Sequence, residues 1–252
     1  VYIMAFSKKR FGDAIKVLTD GLPTAVSKVI FEDVNAILEK DVDTHYYMAS
    51  GYLETLKRHK ERQSSKGYGF GYCVVNTKKQ EHPVANTILA TGGSGKERNL
   101  IYQPKKGVAG TRIASKKTEL NSEGIRVMTP TEWGRLQGFI GYAFMENGED
   151  RFSFPDDTTD GQKYKQFGNS VTIPVIEELA QYMLTCFEKM NKSQTDIICK
   201  LAANTDYISK KDVIESLRIS VNQANYLLKK MVATGMLEIV TRGRYSKYRL
   251  IT

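Results

Sequence analysis

Residues 166–175 read QFGNSVTIPV, and the rest of the chain takes its meaning from them. Gly168 permits either a positive φ or the close approach of another group to the main chain. Asn169, Ser170 and Thr172 carry the short polar side chains that cap helices, and Pro174 suits a first helical turn. Beyond them Val175, Ile176, Leu179, Ala180, Met183 and Phe187 recur at helical spacing. The stretch predicts a tight loop entering an amphipathic helix. Two uses of that loop stay open: a plain structural cap, or N–H and amide groups that grip a polar ligand at a helix start.

Composition narrows the setting. With 252 residues, 41% hydrophobic and 26% charged, the chain can bury a sizeable core in one domain or two. No apolar run approaches the ~18–20 residues of a membrane helix, and the opening VYIMAF is too short for a signal peptide. Cys73, Cys186 and Cys199 form neither a CxxC nor a Cys/His cluster, so neither a disulfide framework nor a metal site is expected, and the cytoplasm is the expected compartment. A formal net charge of +9 points to a polyanion, nucleic acid before membrane.

Along the chain, VYIMAF (1–6) reads as a short buried strand with nothing beside it to pair with. Residues 26–40 read as helical. The segment from Tyr46 to Gly67 reads as a second helix, with Ser50 as cap, Tyr52, Leu53 and Leu56 on the apolar face, and a basic C-terminal end. GYGFGYCVVN (67–76) is a turn entering a strand, and residues 84–104 read strand, glycine-rich loop, strand. GGSGKER lacks the GK[ST] ending and following helix of a phosphate-binding loop. A loop between strands better suits DNA contact, with Thr87, Gly92, Gly93, Lys96, Arg98 and Asn99 as the candidate surface. KKGVAGTRIASKKTELNSEG (105–124) reads as an exposed loop, and FPDDTTD as a polar turn.

The tail from about Gln194 reads as its own unit. Three short helical patterns are followed by alternating strands around the basic turn TRGRYS. Ser209 with Asp212 and Ser220 with Gln223 have capping-box spacing. Leu227, Leu228 and Met231 form an inward face, and Gly235 ends the third helix. Three helices and a basic hairpin describe a winged helix-turn-helix, with Asn222, Gln223 and Asn225 on the recognition helix and Arg242 and Arg244 on the wing. Ten basic and five acidic residues give this tail +5. A winged helix that touches only protein is the other use of the same pattern.

RVMTPTEWGRLQGF, from Arg126, and TDGQKYKQFGNSVTIPV, from Thr159, together resemble the ninth and tenth sequence motifs of bacterial DNA cytosine C5-methyltransferases of restriction–modification type. VYIMAF resembles the strand after the family's eighth motif. KRHKERQSSKGYGFGY and NTILATGG resemble its variable target-recognition region, in the manner of members that modify short GC-rich palindromes. The likeness covers most of residues 1–190 and leaves the tail outside.

What the resemblance implies is an α/β chain: part of a doubly wound S-adenosylmethionine-dependent methyltransferase fold with a mixed target-recognition lobe, plus a C-terminal winged helix-turn-helix. Its divisions would be 1–23 (end of the catalytic-lobe sheet), 24–128 (recognition lobe), 129–192 (ninth and tenth motifs) and 193–252 (winged helix). Asn169, Ser170 and Val171 would meet S-adenosyl-L-methionine, with Gln166 tying the loop to neighbouring backbone. Glu132, Trp133, Arg135, Leu136 and Gln137 would lie on a short architectural helix after Thr129 and Pro130, in an Arg–carboxylate network, with phosphate contact as the alternative for Arg135. Ile140 departs from the proline usual after Gly-Phe. The family's Pro-Cys nucleophile loop and its Glu-Asn-Val segment are absent, so no catalytic residue is assigned. The implied partners are double-stranded DNA and an N-terminal catalytic half, either a second subunit or the rest of a longer chain, in a bacterial, nucleoid-associated setting. The competing reading is a non-catalytic, sequence-specific DNA-binding regulator. A nuclease is disfavoured, because no clustered carboxylates with a nearby lysine appear.

Overall fold

The computed structural model describes residues 2–18, 21, 30–69, 72–77, 80–90, 95–243 and 245–251. Its helices are α1 (Lys8–Phe11), α2 (Ser50–Ser64), α3 (Pro130–Gln137), α4 (Asp160–Asn169), α5 (Ile173–Ala203), α6 (Lys210–Leu217) and α7 (Val221–Ala233). Its strands are β1 (Leu100–Tyr102), β2 (Ile125–Val127), β3 (Met145–Glu146), β4 (Glu149–Asp150), β5 (Ile208–Ser209), β6 (Leu237–Thr241) and β7 (Lys247–Leu250). The starts of α3, α4, α6 and α7 fall where a side chain satisfies a free N–H group of the first turn. Thr129 with Glu132, Thr159 with Gln162 and Ser209 with Asp212 each form a complete capping box, for α3, α4 and α6. The chain divides into two compact units, Val26–Glu177 and Val1–Ala25 with Glu178–Thr252.

In the Val26–Glu177 unit, β1 and β2 pair antiparallel with Ile101 opposite Arg126. Beneath them Val34, Ile37, Val75, Ile101, Met128, Trp133, Tyr164 and Phe167 are buried together, with Phe139, Phe152 and Phe154 packed against them. Leu53 and Leu56 of α2 pack on Met48, Leu100 and Ile125 as a second cluster, while Tyr52 is exposed. β3 and β4 form a hairpin around Asn147 and Gly148, whose φ values of 51° and 82° suit an Asn-Gly turn.

In the other unit, β5, β7 and β6 form an antiparallel sheet in that order. Ile198, Val213, Leu217, Leu227, Leu228, Met231 and Leu237 fill its core from α5, α6, α7 and β6. Gly235, at φ 72°, follows the end of α7. Phe11 stacks on Phe187 at 5.7 Å, with Phe6 edge-on to it at 5.5 Å.

Several expectations are corrected. Residues 2–6 form no strand, and Ile3 is exposed, because a strand needs a neighbour for its N–H and C=O groups and the described residues supply none. Among the described residues the ladders are antiparallel, with one isolated parallel bridge between Val74 and Leu100, so no doubly wound sheet is present. The helix expected at 26–40 is a 3-10 turn, Val34–Ile37, because Asp33 bonds the N–H groups of Asn35 and Ala36; residues 26–29 lie outside the described set. Ala49, not Ser50, precedes α2; the Ser50 hydroxyl donates to Glu119 at 2.8 Å. Asn86–Ala90 forms no strand. The 105–124 segment is not wholly exposed, since Val108, Leu120 and Asn121 are buried. TDIICKLAAN is no separate helix but the end of α5, which runs 31 residues because neither Gly nor Pro follows Pro174 within it. Residues 1–25 group with the tail, which differs from a division at 23 and 193.

Candidate functional site

Arg126 lies on β2 and is fully buried, as is Glu132 on the first turn of α3. The guanidinium grips the carboxylate with both terminal nitrogens, Nη1 to Oε2 at 2.8 Å and Nη2 to Oε1 at 2.6 Å. Its Nε donates to Gln103 Oε1 at 2.6 Å, and Nη1 also reaches the Val127 carbonyl at 2.9 Å. Glu132 accepts two further backbone N–H groups, from Thr129 and Glu39, each at 2.9 Å. Gln103 Nε2 donates to the Glu39 carbonyl, and the Thr129 hydroxyl donates to the Glu39 carboxylate. A buried ion pair repays its desolvation only when the remaining donors and acceptors are matched, as these are. The Arg–carboxylate network expected around Arg135 is therefore made by Arg126. Arg135 instead donates from Nη1 to the Ile37 carbonyl at 2.7 Å, which is the structural of its two expected roles.

The stretch 166–175 is lashed to α3. Gln137, buried at the end of α3, donates to the carbonyls of Phe167 (3.0 Å) and Ser170 (3.5 Å) and accepts from the Thr172 hydroxyl at 2.6 Å. Gln166, expected to tie the loop, is exposed; the tie comes from Gln137. Gly168 is not a bend but part of α4, and its lack of a side chain admits another strand of main chain. A Cβ there would sit 2.3 Å from the Leu89 carbonyl oxygen. Gly134 similarly admits Phe167 and Ile140, and Gly138, at φ 78°, admits Pro174. Trp133 meets Tyr164 edge-on at 4.8 Å, and the Tyr164 hydroxyl donates to the Met128 carbonyl. At Ile140 φ is −102°, outside the range a proline ring allows, so the turn is held by side-chain packing instead. An apolar cleft of about 380 Å³, lined by Phe31, Leu136, Gly138, Thr172 and Pro174, adjoins this junction.

The expected contact residues are dispersed. Asn169 is exposed and its carboxamide has no partner among the described residues. The Ser170 hydroxyl donates to the Phe167 carbonyl at 2.6 Å, and Val171 is 53% exposed. Thr87 and Arg98 are exposed. Lys96 is half-buried, its Nζ 4.3 Å from the centre of the Tyr164 ring, and burial pushes its pKa down. Asn99 presents no free edge: it is buried, accepting from Asn86 N at 2.7 Å and donating to Asn86 O at 2.9 Å, a clip between chain segments. On α7 Asn222 is exposed and Asn225 half-buried, while Gln223 is only 9% exposed, because its place in the first turn faces inward. Arg242 is exposed at the hairpin turn. Gly92, Gly93 and Arg244 lie outside the described residues.

Cys186 is buried and Cys73 and Cys199 are half-buried. Burial, with the Asp196 carboxylate, pushes the Cys199 thiol up, away from the thiolate. Among the described residues no group of three or more His, Cys, Asp or Glu is placed to hold a metal ion, and no helix is long and apolar enough to cross a membrane. Sequence reasoning missed Arg126, Glu39 and Gln103. The capping-box spacing TPTE marks the start of α3 but carries no signal that Glu132 is buried.

Two stretches, 126–139 and 159–175, are thus locked together around a buried Arg–Glu pair and the Gln137 junction. Residues 1–185 match the family described as C-5 cytosine-specific DNA methylase, and the chain belongs to it. It is 38% identical over 185 residues to the type II methyltransferase M.HpaII of Haemophilus parainfluenzae, covering 73% of this chain and 45% of that one. It is 31% identical over 193 residues to M1.ScrFI of Lactococcus lactis subsp. cremoris, covering 76% and 40%. It is 33% identical over 150 residues to M.NlaX of Neisseria lactamica, covering 60% and 38%. The chain thus spans less than half the length of these relatives.

Proposed function

We propose that the chain is the target-recognition and cofactor-closing half of a DNA (cytosine-5) methyltransferase of restriction–modification type. Joined to an N-terminal catalytic half, it serves methyl transfer from S-adenosyl-L-methionine to C5 of a flipped cytosine. The observation that carries this reading is the junction at Gln137, which ties the end of α4 and the turn at Ser170–Thr172 to α3 within the span that matches the family. The catalytic half, a second subunit or another part of the same protein, supplies the nucleophilic thiolate and its acid partner. Two features favour such a half: the relatives extend well beyond the matched stretch, and no cysteine here is both exposed and thiolate-favouring.

The loop residues suit the cofactor. Asn169 offers a free carboxamide, able to accept from an ammonium and donate to a carboxylate, and the exposed Val171 offers apolar cover beside it. Ser170 spends its hydroxyl on Phe167, so its part is to hold the loop shape. When bound, S-adenosyl-L-methionine supplies the electrophilic methyl group. Val171, Val175 and Ile176 form an exposed apolar run that the catalytic half would cover. Thr87, Lys96 and Arg98 are the proposed contacts to the target DNA, together with Gly92 and Gly93 from outside the described residues, and such contacts help offset the few kcal/mol of base flipping. The tail, with α6, α7 and the β6–β7 hairpin, is a winged helix that adds DNA affinity through Asn222, Asn225, Arg242 and Arg244.

Incubation with labelled cofactor and DNA tests the proposal. The chain alone should transfer no methyl group, and addition of the N-terminal half should restore transfer. Asn169→Ala should then raise the cofactor KM several-fold with little change in kcat. Robust transfer by the chain alone overturns the split-site reading.

A further inference from the structure

A cavity of about 340 Å³ opens beside the first turn of α4, within the Val26–Glu177 unit, and its lining includes none of the residues assigned above to cofactor or DNA. That volume falls within the ~300–1,000 Å³ of small-ligand pockets. Its wall is aromatic. Phe152 and Phe154 meet edge to face at 5.1 Å, and Phe154 meets Phe167 likewise at 5.2 Å. Phe167 is buried, but Phe152 and Phe154 are only half-buried, so part of this wall is open to a ligand.

Two charged heads stand on the wall, each placed there by a contact with another lining side chain. Asp160 and Lys163 lie one turn apart on α4, the spacing at which a carboxylate and an ammonium group ordinarily pair. They do not pair. Asp160 accepts from the Tyr46 hydroxyl at 2.6 Å and faces His45 Nε2 at 3.5 Å, while Lys163 Nζ sits 5.9 Å from the centre of the Phe154 ring with no carboxylate in ion-pair reach among the described residues. Tyr46, Phe154, Asp160 and Lys163 all line the cavity. Burial, with the Asp160 carboxylate, pushes the Tyr46 phenol up, so the shared proton stays on the tyrosine and Asp160 stays an acceptor. Asp156, a second carboxylate on the lining, has no hydrogen bond or ion pair among the described residues. No group of three His, Cys, Asp or Glu converges there to hold a metal ion.

These features select the occupant. An aromatic wall takes a planar ring by stacking. A carboxylate only accepts and an ammonium group only donates, so the edge of that ring must carry N–H donors beside an acceptor. Among the DNA bases, only the pairing edge of guanine sets two adjacent N–H donors beside a carbonyl oxygen. We propose that this cavity binds a guanine base, its N–H groups toward the carboxylates of Asp160 and Asp156 and its carbonyl oxygen toward Lys163. The base belongs either to a free guanine nucleotide or to a DNA strand whose guanine is unpaired, as it is opposite a flipped cytosine; only the second source rests on the function proposed above.

Equilibrium dialysis of the full chain against guanosine, adenosine, cytidine and thymidine monophosphates should retain the guanine nucleotide in several-fold preference to the others. Lys163→Ala and Asp160→Asn, the latter keeping an acceptor for Tyr46, should each weaken that binding several-fold, with circular dichroism melts to check that both variants fold. A fluorescein-labelled duplex with one unpaired guanine, compared by anisotropy with a fully paired duplex and one with an unpaired adenine, separates the sources. Tighter binding of the unpaired guanine, lost in Lys163→Ala, assigns the base to DNA. Equal binding of the three duplexes, with the nucleotide still held, assigns it to a free nucleotide. No duplex binding at all, with the nucleotide held, counts against the DNA function proposed above and leaves the guanine cavity standing. Equal retention of the four nucleotides, guanine binding unmoved by both variants, or retention of none with the three duplexes bound alike overturns the inference.

Discussion

Both units bury apolar clusters, but only the Val26–Glu177 unit adds a fully buried ion pair among the described residues. In the Glu178–Thr252 part, Ile198, Val213, Leu217, Leu227, Leu228 and Leu237 meet as plain apolar surfaces. In the Val26–Glu177 unit the centre holds a charged pair, Arg126 and Glu132, with Gln103, Thr129 and Glu39 bonded around it. Apolar packing is non-directional and tolerates small adjustments. A buried ion pair is directional, and it fixes the angle between β2 and α3 to within the tolerance of a hydrogen bond. The difference matches the work proposed for each unit: a loop that closes over a cofactor needs a fixed frame, while a helical tail needs only a stable one.

Mutations can break that contrast, and the largest effect should come from the ion pair. Glu132→Ala leaves a guanidinium buried and unpaired, and should cost about 3–5 kcal/mol in urea denaturation. Arg126→Met/Glu132→Met should cost less than the sum of the two single changes, though not zero, because the N–H groups of Thr129 and Glu39 lose their acceptor. A sum that is simply additive would show that the pair fixes nothing. Gly168→Ala should follow at about 1–3 kcal/mol, since the Leu89 main chain must move and cannot rotate away as a side chain would. In the apolar core Ile198→Val should cost only about 1 kcal/mol, and the sheet and helices should keep their circular dichroism.

The smallest effect concerns pH. Although the Tyr52 side chain as a whole is about half exposed, its partial burial and the hydrogen bond its hydroxyl donates to Glu97 at 2.6 Å push the phenol up to about 12. Its folded pKa lies above its unfolded value near 10, so its contribution is full below pH 10 and is lost as pH rises toward 12. Tyr52→Phe should remove that alkaline component from the pH profile of the melting temperature, and an absorbance titration should lose one late-titrating tyrosine.

Much of the tail was legible because its signals are local. The Ser209–Asp212 box, the inward Leu227, Leu228 and Met231, and Gly235 each act within one or two turns, and the structure holds them where the spacing puts them. The helix after Thr129 was equally legible, through proline at its start and apolar Trp133 on its inner face. The misreadings share one cause. Asn99 looked like a recognition residue and is a clip to Asn86; Gln223 looked like a base reader and is buried. In each case a polar residue of suitable type was judged without knowing what faces it.

By itself the sequence determined the starts of α3, α6 and α7 and the end of α7, the basic bias of the tail and the two motifs that identify the family. Those depend on neighbours a few residues apart, where spacing is geometry. Only the tertiary structure decided that Arg126 rather than Arg135 holds the carboxylate, that Gln137 rather than Gln166 ties the loop, and that Gly168 admits a neighbour rather than making a bend. Its deciding contacts join residues such as Glu39 and Glu132, or Ile37 and Arg135, which lie 93 and 98 positions apart. A hydrogen bond over that separation is set by how two elements pack, and no local pattern encodes which of two like side chains will be there to make it.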